Sequence, residues 1–369
     1  MKKGLLAVLC LTAWAAYPQA APEPVSLAVV GLAHDGAGAF LAALRGRSDA
    51  QLAAIVEPDR DLREQYQRRF SLAPDLFYTN FDDMRVRAHP GAVVSFTRTV
   101  QHRAVVEACA ASGLDVLLEK PLAMNFPEAQ ALAAAARKAG IQIIVDYETA
   151  WYPANQSAYE IVHTQRAIGA VRKLVARAGH RGPKEIGCSP AFLAWLTDPA
   201  QSGGGALVDF GCYGADLVTW MMEGRRPVSV VAAAQQIKPE VYPKVEDEAT
   251  IVLEYPGTQA IIEASWNWPY EVNDLEVFGR QGYVQVPQRN VVRVRKAGSE
   301  ESEIKLAPSP GGAALDEISY FVSVVRRQTA PAGLASLEMN LTVMEILDAA
   351  RESVRTGRKV ELPAAAAPK

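Results

Sequence analysis

Short apolar runs and amphipathic stretches alternate through the first part of the chain. "VSLAVVG" (25–31) gives way to "GAGAFLAALRGR", "AQLAAIVE" (50–57) to "DRDLREQYQRRF", and "GAVVSF" (91–96) to "QHRAVVEACAASG". "DVLLEKP" (115–121) then precedes "PEAQALAAAARKAG", and "IQIIVDY" (141–147) closes the series. Strands apolar on both faces, each followed by a helical repeat, predict a doubly wound parallel sheet covered on both sides. The first three strands have the proportions of a Rossmann unit.

After Tyr147 the pattern changes. "PANQSAYEIVHTQRAIG" (153–169) predicts a helix ending at Gly169, and runs with period-2 alternation follow, among them "VRKLVARAG", "DEATIVLEY", "TQAIIEASWNW" and "DLEVFGRQGYVQV". These predict a mostly antiparallel sheet. Two helices, roughly 314–327 and 337–356, close the chain. The fold class expected is therefore α/β, with a Rossmann domain over 25–147 and a second α/β domain over 148–363 that carries an open, mostly antiparallel sheet.

Residues 1–20 stand apart. Lys2 and Lys3 precede an apolar run from Leu5 to Leu11, and Ala13–Ala15 supplies an A-x-A cleavage site. That is the pattern of a secretory signal peptide, and the run is too short to span a bilayer. The expected product is secreted or periplasmic, with no membrane anchor. Composition adds exclusions. The formal net charge of -3 gives no electrostatic case for nucleic acid or an anionic membrane as partner. Three cysteines remain beyond the signal, an odd and sparse set that argues against a disulfide framework. No C-x-x-C or H-E-x-x-H occurs, so no metal is expected.

Candidate chemistry sits at predicted strand ends. In the first strand–helix turn, Gly31, Ala33 and Gly36 fall on the three positions of G-x-G-x-x-G. Glycines there allow a tight turn and close approach of a diphosphate; the methyl of Ala33 would crowd it. The turn reads either as a dinucleotide loop or as an ordinary tight turn. Glu57 ends the second strand, where a carboxylate would accept from an adenosine ribose and repel a 2'-phosphate. That favours NAD, with NADP not excluded because Arg60 is near; a solvated acid beside the next helix is the other reading.

The run "DVLLEKP" ends on Glu119 and Lys120. Buried charges are costly unless paired or used. At a strand's C-terminal end they face the ligand crevice, where Lys120 could hydrogen-bond a substrate oxygen and stabilise alkoxide charge. In "SGGGALVDFGCYGADLVTWMM" (202–222), Asp209 and Tyr213 stand four apart, on one face of a predicted helix. Tyr213 is a candidate general acid/base if an ammonium stabilises its phenolate, and Asp209 a proton acceptor or hydroxyl-positioning group. The alternative is core packing for Tyr213 and a helix-terminus acid for Asp209. Among the aromatics, Trp151 and Trp195 are the candidates to stack on a substrate.

These pieces resemble the Gfo/Idh/MocA oxidoreductases over essentially the whole chain beyond the signal. The matching segments are "EKP" (119–121), "GGGALVDFGCYGAD" (203–216) and "AARESVRTGRKVELP" (349–363). The resemblance implies hydride transfer between NAD(P) and a carbohydrate or cyclitol carbon, with Lys120 catalytic, Glu119 against the nicotinamide half, and Asp209 facing substrate. It puts tyrosine 213 where many members carry histidine. Gly31, Ala33, Gly36 and Glu57 fall on dinucleotide positions. Thr97 and His102 match the ends of a T-P-N-x-x-H segment in which Arg98 and Thr99 replace Pro and Asn, and Ala150 replaces the Arg of an R-W-x-P segment. It also implies a homo-oligomer, a dimer or tetramer.

Three functions remain open on sequence. The first is a secreted NAD(P)-dependent oxidoreductase acting on a sugar, cyclitol or glycoside. The second is a glycosidase using bound NAD through oxidation, elimination and reduction. The third is a cofactor-free sugar-binding protein.

Overall fold

The computed structural model describes residues 22–307 and 316–363; residues 1–21, with the predicted signal peptide, residues 308–315, with the start of the predicted 314–327 helix, and residues 364–369 lie outside them. Two sheets organise the chain. The first has strands β1 (Val25–Val30), β2 (Ala50–Val56), β3 (Phe77–Tyr78), β4 (Ala92–Ser95), β5 (Asp115–Glu119) and β6 (Ile143–Asp146). All its pairings are parallel, in the order β3-β2-β1-β4-β5-β6. Chain direction across the sheet reverses between β1 and β4, and the crevice outside their carboxyl ends is where ligands bind in such sheets. The strands are almost fully buried, which is why they read as continuous apolar runs.

The second sheet contains β7 (Val171–Gly179), β8 (Ser229–Gln235), β9 (Glu248–Tyr255), β10 (Thr258–Ser265), β11 (Val272–Gly279), β12 (Gly282–Gln288), β13 (Val291–Lys296), β14 (Ser302–Lys305) and β15 (Val360–Glu361). Its order is β14-β13-β12-β11-β7-β10-β9-β8-β15, and only β7 and β10 pair in parallel. Helices Gly211–Met221 and Leu337–Thr356 pack against it. The α/β class and the antiparallel character of the second sheet agree with the sequence pattern. The elements missed are short: β3, β14, β15, and the helices Phe81–Ala88 and Pro190–Leu196.

Two helices differ from expectation. The helix beginning at Pro153 changes to a wider, π-type turn over Glu160–Thr164 and ends there, leaving Gly169 in a later turn. The stretch after the triple glycine forms two helices, Ala206–Asp209 and Gly211–Met221, interrupted at Phe210. The entry to the first of these helices is closely packed. Gly205 lies so near the next segment that a Cβ would stand 1.9 Å from the Glu246 carbonyl oxygen. Glu246 binds the entry through its side chain too, accepting from Gly205 N–H at 2.8 Å and Leu207 N–H at 3.2 Å.

The two sheets share one apolar core, and polar ties cross the junction. The Arg351 guanidinium donates to the carbonyls of Gly203 (2.7 Å) and Met124 (2.8 Å), and Asp348 accepts from Phe126 N–H at 2.7 Å. Each tie satisfies a backbone group at the join.

Gly205→Ala is expected to destabilise the fold by about 3 kcal/mol, the upper part of the range for overpacking. Urea denaturation measures it; an unchanged midpoint would show that the Gly203–Gly205 entry yields freely.

Candidate active site

A cavity of about 450 Å³ opens where the carboxyl ends of the first sheet meet the second domain. Its walls include His34, Gly36, Glu119, Lys120, Asp146, Trp151, His180, Phe192, Asp209, Phe210, Tyr213 and Glu317. Lys120 follows β5 directly, and Asp209 ends the short helix behind the triple glycine. The structure brings them together: Lys120 Nζ donates to Asp209 Oδ1 at 2.5 Å and to the Asp209 carbonyl at 3.1 Å. Both side chains are only about a tenth exposed, 10% and 9%. Asp209 Oδ2 accepts from Trp266 Nε1 at 2.9 Å, so both carboxylate oxygens are engaged. Burial works to raise the Asp209 carboxyl, but the ammonium and these hydrogen bonds hold it below its ordinary range. For Lys120 burial favours the neutral amine, yet Asp209 keeps it charged, well above its usual value. Asp209 is therefore the counter-ion that fixes Lys120, not a free proton acceptor.

Tyr213 lines the cavity beside this pair. The Lys120 ammonium lies 5.0 Å from the centre of its ring, over the π face. Burial raises the Tyr213 phenol well above its ordinary value, and Lys120 only partly offsets that. The ammonium that the sequence reading required beside Tyr213 is present but does not offset burial; the site holds a neutral phenol and a charged ammonium, both proton donors.

The first strand–helix turn carries the other half of the site. Gly31 must be glycine, since a Cβ would stand 2.8 Å from Thr97 and its φ is +87°. The backbone N–H groups of Ala33, His34 and Asp35 have no acceptor among the described residues, at the N-terminus of helix Gly36–Leu44. Free amides in the loop leading into a helix suit a diphosphate, while the helix's own first amide, Gly36 N–H, is taken by His34 Nδ1 at 3.0 Å. By that test the loop fits a dinucleotide, with Glu119 at the cavity end.

Several of the predicted residues have partners within the protein. Glu57 is 5% exposed, its oxygens accepting from the N–H groups of Leu32 (2.8 Å) and Asp59 (2.9 Å). It ties β2 to the phosphate loop, and burial raises its carboxyl. Arg60 pairs with Glu64 along its own helix. Thr97 is buried, its hydroxyl 2.9 Å from that of Ser95. His102 is 1% exposed, with Nδ1 3.3 Å from the Leu122 carbonyl, and so props the turn after Lys120 from behind. Ala33 is buried, and its carbonyl accepts the Trp195 indole N–H at 3.3 Å. Trp195 therefore packs on the phosphate loop and does not line the cavity. Trp151 does line it, with its N–H given to Asp146 at 2.8 Å.

Sequence reasoning missed the cover over this loop. Helix Pro190–Leu196 places Phe192 edge-on to His34, with ring centres 4.3 Å apart. Ser189 N–H donates to Asp35 at 2.9 Å, and Arg98 reaches Gln201 at 2.8 Å. The signal was present: Ser189 followed by Pro190 is a helix start, and the Ser189 hydroxyl caps Phe192 N–H at 3.1 Å. His180, Asp146 and Glu317 were missed as well. Burial raises the Glu119 carboxyl to about 7, opposed by Lys120; burial and then Glu119 and Glu317 raise Asp146 well above its usual range.

Comparison with known proteins now has a geometry to attach to. Residues 25–147 match the oxidoreductase family with an NAD-binding Rossmann fold, and residues 156–285 match the GFO/IDH/MocA C-terminal domain. The chain belongs to the Gfo/Idh/MocA oxidoreductases. Among its relatives in this family, the trans-1,2-dihydrobenzene-1,2-diol dehydrogenase of Xenopus laevis is 33% identical over 189 residues, 50% of this chain and 52% of that one. The chain thus spans about half the length of the frog enzyme in that match. The Macaca fascicularis enzyme of the same name is 26% identical over 86% of this chain and 91% of its own. Two solved structures share the fold. An inositol dehydrogenase homologue from Azotobacter vinelandii complexed with NAD+ superimposes with TM-score 0.81 at 19% identity, covering 92% of this chain and 98% of that one. Aldose-aldose oxidoreductase from Caulobacter crescentus, complexed with glycerol, gives 0.77 at 24%, covering 92% and 100%. Among the described residues no group of His, Cys, Asp and Glu is placed to hold a metal.

Two buried histidines make stability depend on pH. Burial lowers His34 from 6.5 to about 3 and His102 from 6.5 to about 4. Their folded values are depressed, so as pH falls below about 6.5 the unfolded chain binds protons first and the folded state loses stability. The loss should run from about pH 6.5 to 4 for His102 and on to about 3 for His34, at roughly 1.4 kcal/mol per pH unit per histidine. His102→Gln should flatten it when urea midpoints at pH 7 and pH 5 are compared; an equal slope in both proteins would refute the assignment.

Proposed function

We propose that this protein is an exported NAD(P)-dependent oxidoreductase acting on a hydroxyl or carbonyl group of a sugar, cyclitol or related diol. The observation that carries the reading is the buried Lys120–Asp209 pair beside Tyr213, in a cavity continuous with a phosphate loop whose amides are free. The two relatives named above as diol dehydrogenases support the substrate class. The dinucleotide, held by the amides of Ala33, His34 and Asp35 and bordered by Glu119, would supply the hydride donor or acceptor. Lys120, kept charged by Asp209, donates to the reacting oxygen and stabilises negative charge as it develops there. Tyr213, neutral at rest, gives its proton to that oxygen in carbonyl reduction; in alcohol oxidation it would first have to lose that proton to solvent, and its phenolate would then take the hydroxyl proton. Phe192 and Trp195 close the loop against water. Export rests on Lys2, Lys3 and the apolar run to Leu11, and a homo-oligomer on the exposed open sheet.

The cover over the phosphate loop favours a second reading, in which the dinucleotide stays bound and is recycled. Net hydrolysis of a glycoside by oxidation, elimination and return of hydride is one such reaction, and aryl glycosides incubated without added cofactor test for it. A cofactor-free sugar-binding protein is the weaker alternative, because it leaves the free loop amides and the buried lysine without a use.

Lys120→Met should lower turnover about 100- to 1,000-fold, the usual cost of removing one preorganised charge stabiliser. It should also lower stability, because Asp209 is left buried without its cation. Steady-state kinetics with added NAD measure the first effect, and near wild-type turnover would end the assignment of Lys120. Purified protein, once denatured, is expected to release a nicotinamide dinucleotide. Stripped protein given NAD at 100 times its dissociation constant should gain about 2.7 kcal/mol of stability. Protein that carries no nucleotide, and whose melting NAD does not shift, would leave the cofactor-free reading.

A further inference from the structure

His34 has no part in the chemistry derived so far, yet its side chain stands in the crevice outside the first sheet. It belongs to the phosphate loop, and its ring turns into the cavity wall, leaving the side chain 12% exposed. Nδ1 accepts Gly36 N–H at 3.0 Å and lies 3.7 Å from Glu119 Oε1. The ring centre is 6.3 Å from that of Phe96, 5.9 Å from Trp195 and 4.3 Å from Phe192. Phe96 follows β4 and Glu119 ends β5, so the imidazole reaches from the β1 loop across the end of β4 towards the end of β5. The space is tight. A Cβ on Gly36 would stand 2.8 Å from His34 Nδ1 and 2.9 Å from Glu119 Oε1. Burial, and then the Lys120 ammonium, lower the imidazole to about 3, so it is neutral near pH 7 and Nδ1 stays an acceptor.

A dinucleotide that rests its diphosphate on the loop amides and brings its nicotinamide to Lys120 and Tyr213 has to cross the end of β4. The imidazole fills that place. The diphosphate and the ring also compete for one donor, because Nδ1 already holds the first amide of the helix. A side chain that must leave before a ligand can settle lowers the apparent affinity by the fraction of molecules in which it has left. The cover from the second domain helps to hold it in. Phe192 packs edge-on to the imidazole, and Trp195, 5.2 Å from Phe192 between ring centres, donates to the Ala33 carbonyl at 3.3 Å.

We propose that His34 is an autoinhibitory plug: its imidazole occupies the dinucleotide's path between the phosphate loop and Lys120, and it must swing out, releasing Gly36 N–H and the Phe192 contact, before the dinucleotide can bind fully. This rests on the dinucleotide reading of the site given above and adds a gate to it.

The test uses the full chain stripped of nucleotide. NADH binding is followed by energy transfer from the protein tryptophans in stopped flow, and AMP binding by calorimetry. AMP carries one phosphate and no nicotinamide, so it stops short of the end of β4. In wild-type protein the observed rate should level off as NADH rises, at the rate at which the plug opens. His34→Ala should make that rate climb in proportion to NADH and tighten the equilibrium Kd about 5- to 10-fold, the worth of one ordinary hydrogen bond. AMP should bind both proteins alike. His34→Asn lacks the ring but can still accept from the N–H two residues on, and it should also bind NADH at a proportional rate, which keeps the test open if the alanine variant folds poorly. The proposal is overturned if wild-type binding is already proportional to NADH, if both variants keep the wild-type rate law and Kd, or if AMP tightens as much as NADH, which would make the change one of loop shape. The two levels separate cleanly. Should NADH bind none of the three proteins, the dinucleotide reading itself fails; should it bind all three in one proportional step with equal Kd, only the plug fails.

Discussion

The site depends on one buried ion pair. Lys120 belongs to the first domain and Asp209 to the second, so their contact joins the two halves where substrate must bind. Removing both charges from water costs several kcal/mol per ion unless the remaining hydrogen-bond capacity is met. Here it is met on the acid side, because the second oxygen of Asp209 takes the Trp266 indole N–H. On the lysine side two protons go to Asp209, and the third has no partner among the described residues. The pair is complete as a structure and leaves one donor for a ligand. That donor is preorganised, since Asp209 is itself held by Gly205 packed on Glu246.

The same pair sets the protonation states around it. Tyr213 sees a cation already neutralised by Asp209, so burial outweighs attraction and the phenol stays protonated. Sequence spacing put an ammonium near the tyrosine and stopped there. What it lacked was the counter-ion, which turns a phenolate-stabilising group into a neutral dipole. Spacing argues about pairs of residues, whereas a proton's affinity depends on every charge within a few ångströms.

Large periodic features of the fold were legible in the chain. Apolar runs marked β1, β2, β4, β5 and β6, and period-2 alternation marked the second sheet, because strand periodicity is local and sheet burial enforces it. Lys120, Tyr213 and Trp151 were placed in the cavity by strand-end and motif reasoning. The predicted residues that the structure engages within the protein share a different property. Trp195, Glu57, Thr97 and His102 act through partners 2 to 162 positions away, and those partners fixed which way each side chain turned. Glu57 reads as a ribose acceptor from its place after β2, yet two backbone amides claim its oxygens. Trp195 reads as a sugar platform from its composition, yet the Ala33 carbonyl claims its N–H.

Charge balance in the cavity narrows what can enter. Glu119, Asp146, Glu148 and Glu317 line it with Lys120, whose charge Asp209 already balances. Glu119 and Asp146 sit side by side at the ends of β5 and β6, paired in register. Their carboxyls titrate high because burial disfavours both anions, with Asp209 adding to it for Glu119, and Glu119 and Glu317 for Asp146, which leaves a wall that is partly protonated and otherwise negative. A carboxylate or phosphate on the substrate would meet repulsion there in a medium that screens charge weakly. Hydroxyl groups meet the opposite situation, because protonated and ionised carboxyls, an ammonium, a phenol and an imidazole N–H together offer both donors and acceptors. An uncharged polyol can satisfy such a wall at several points at once, and the anionic derivatives of the same sugar cannot. The weak attraction of this wall for anions thus has one cause, the commitment of the cavity's lysine to Asp209.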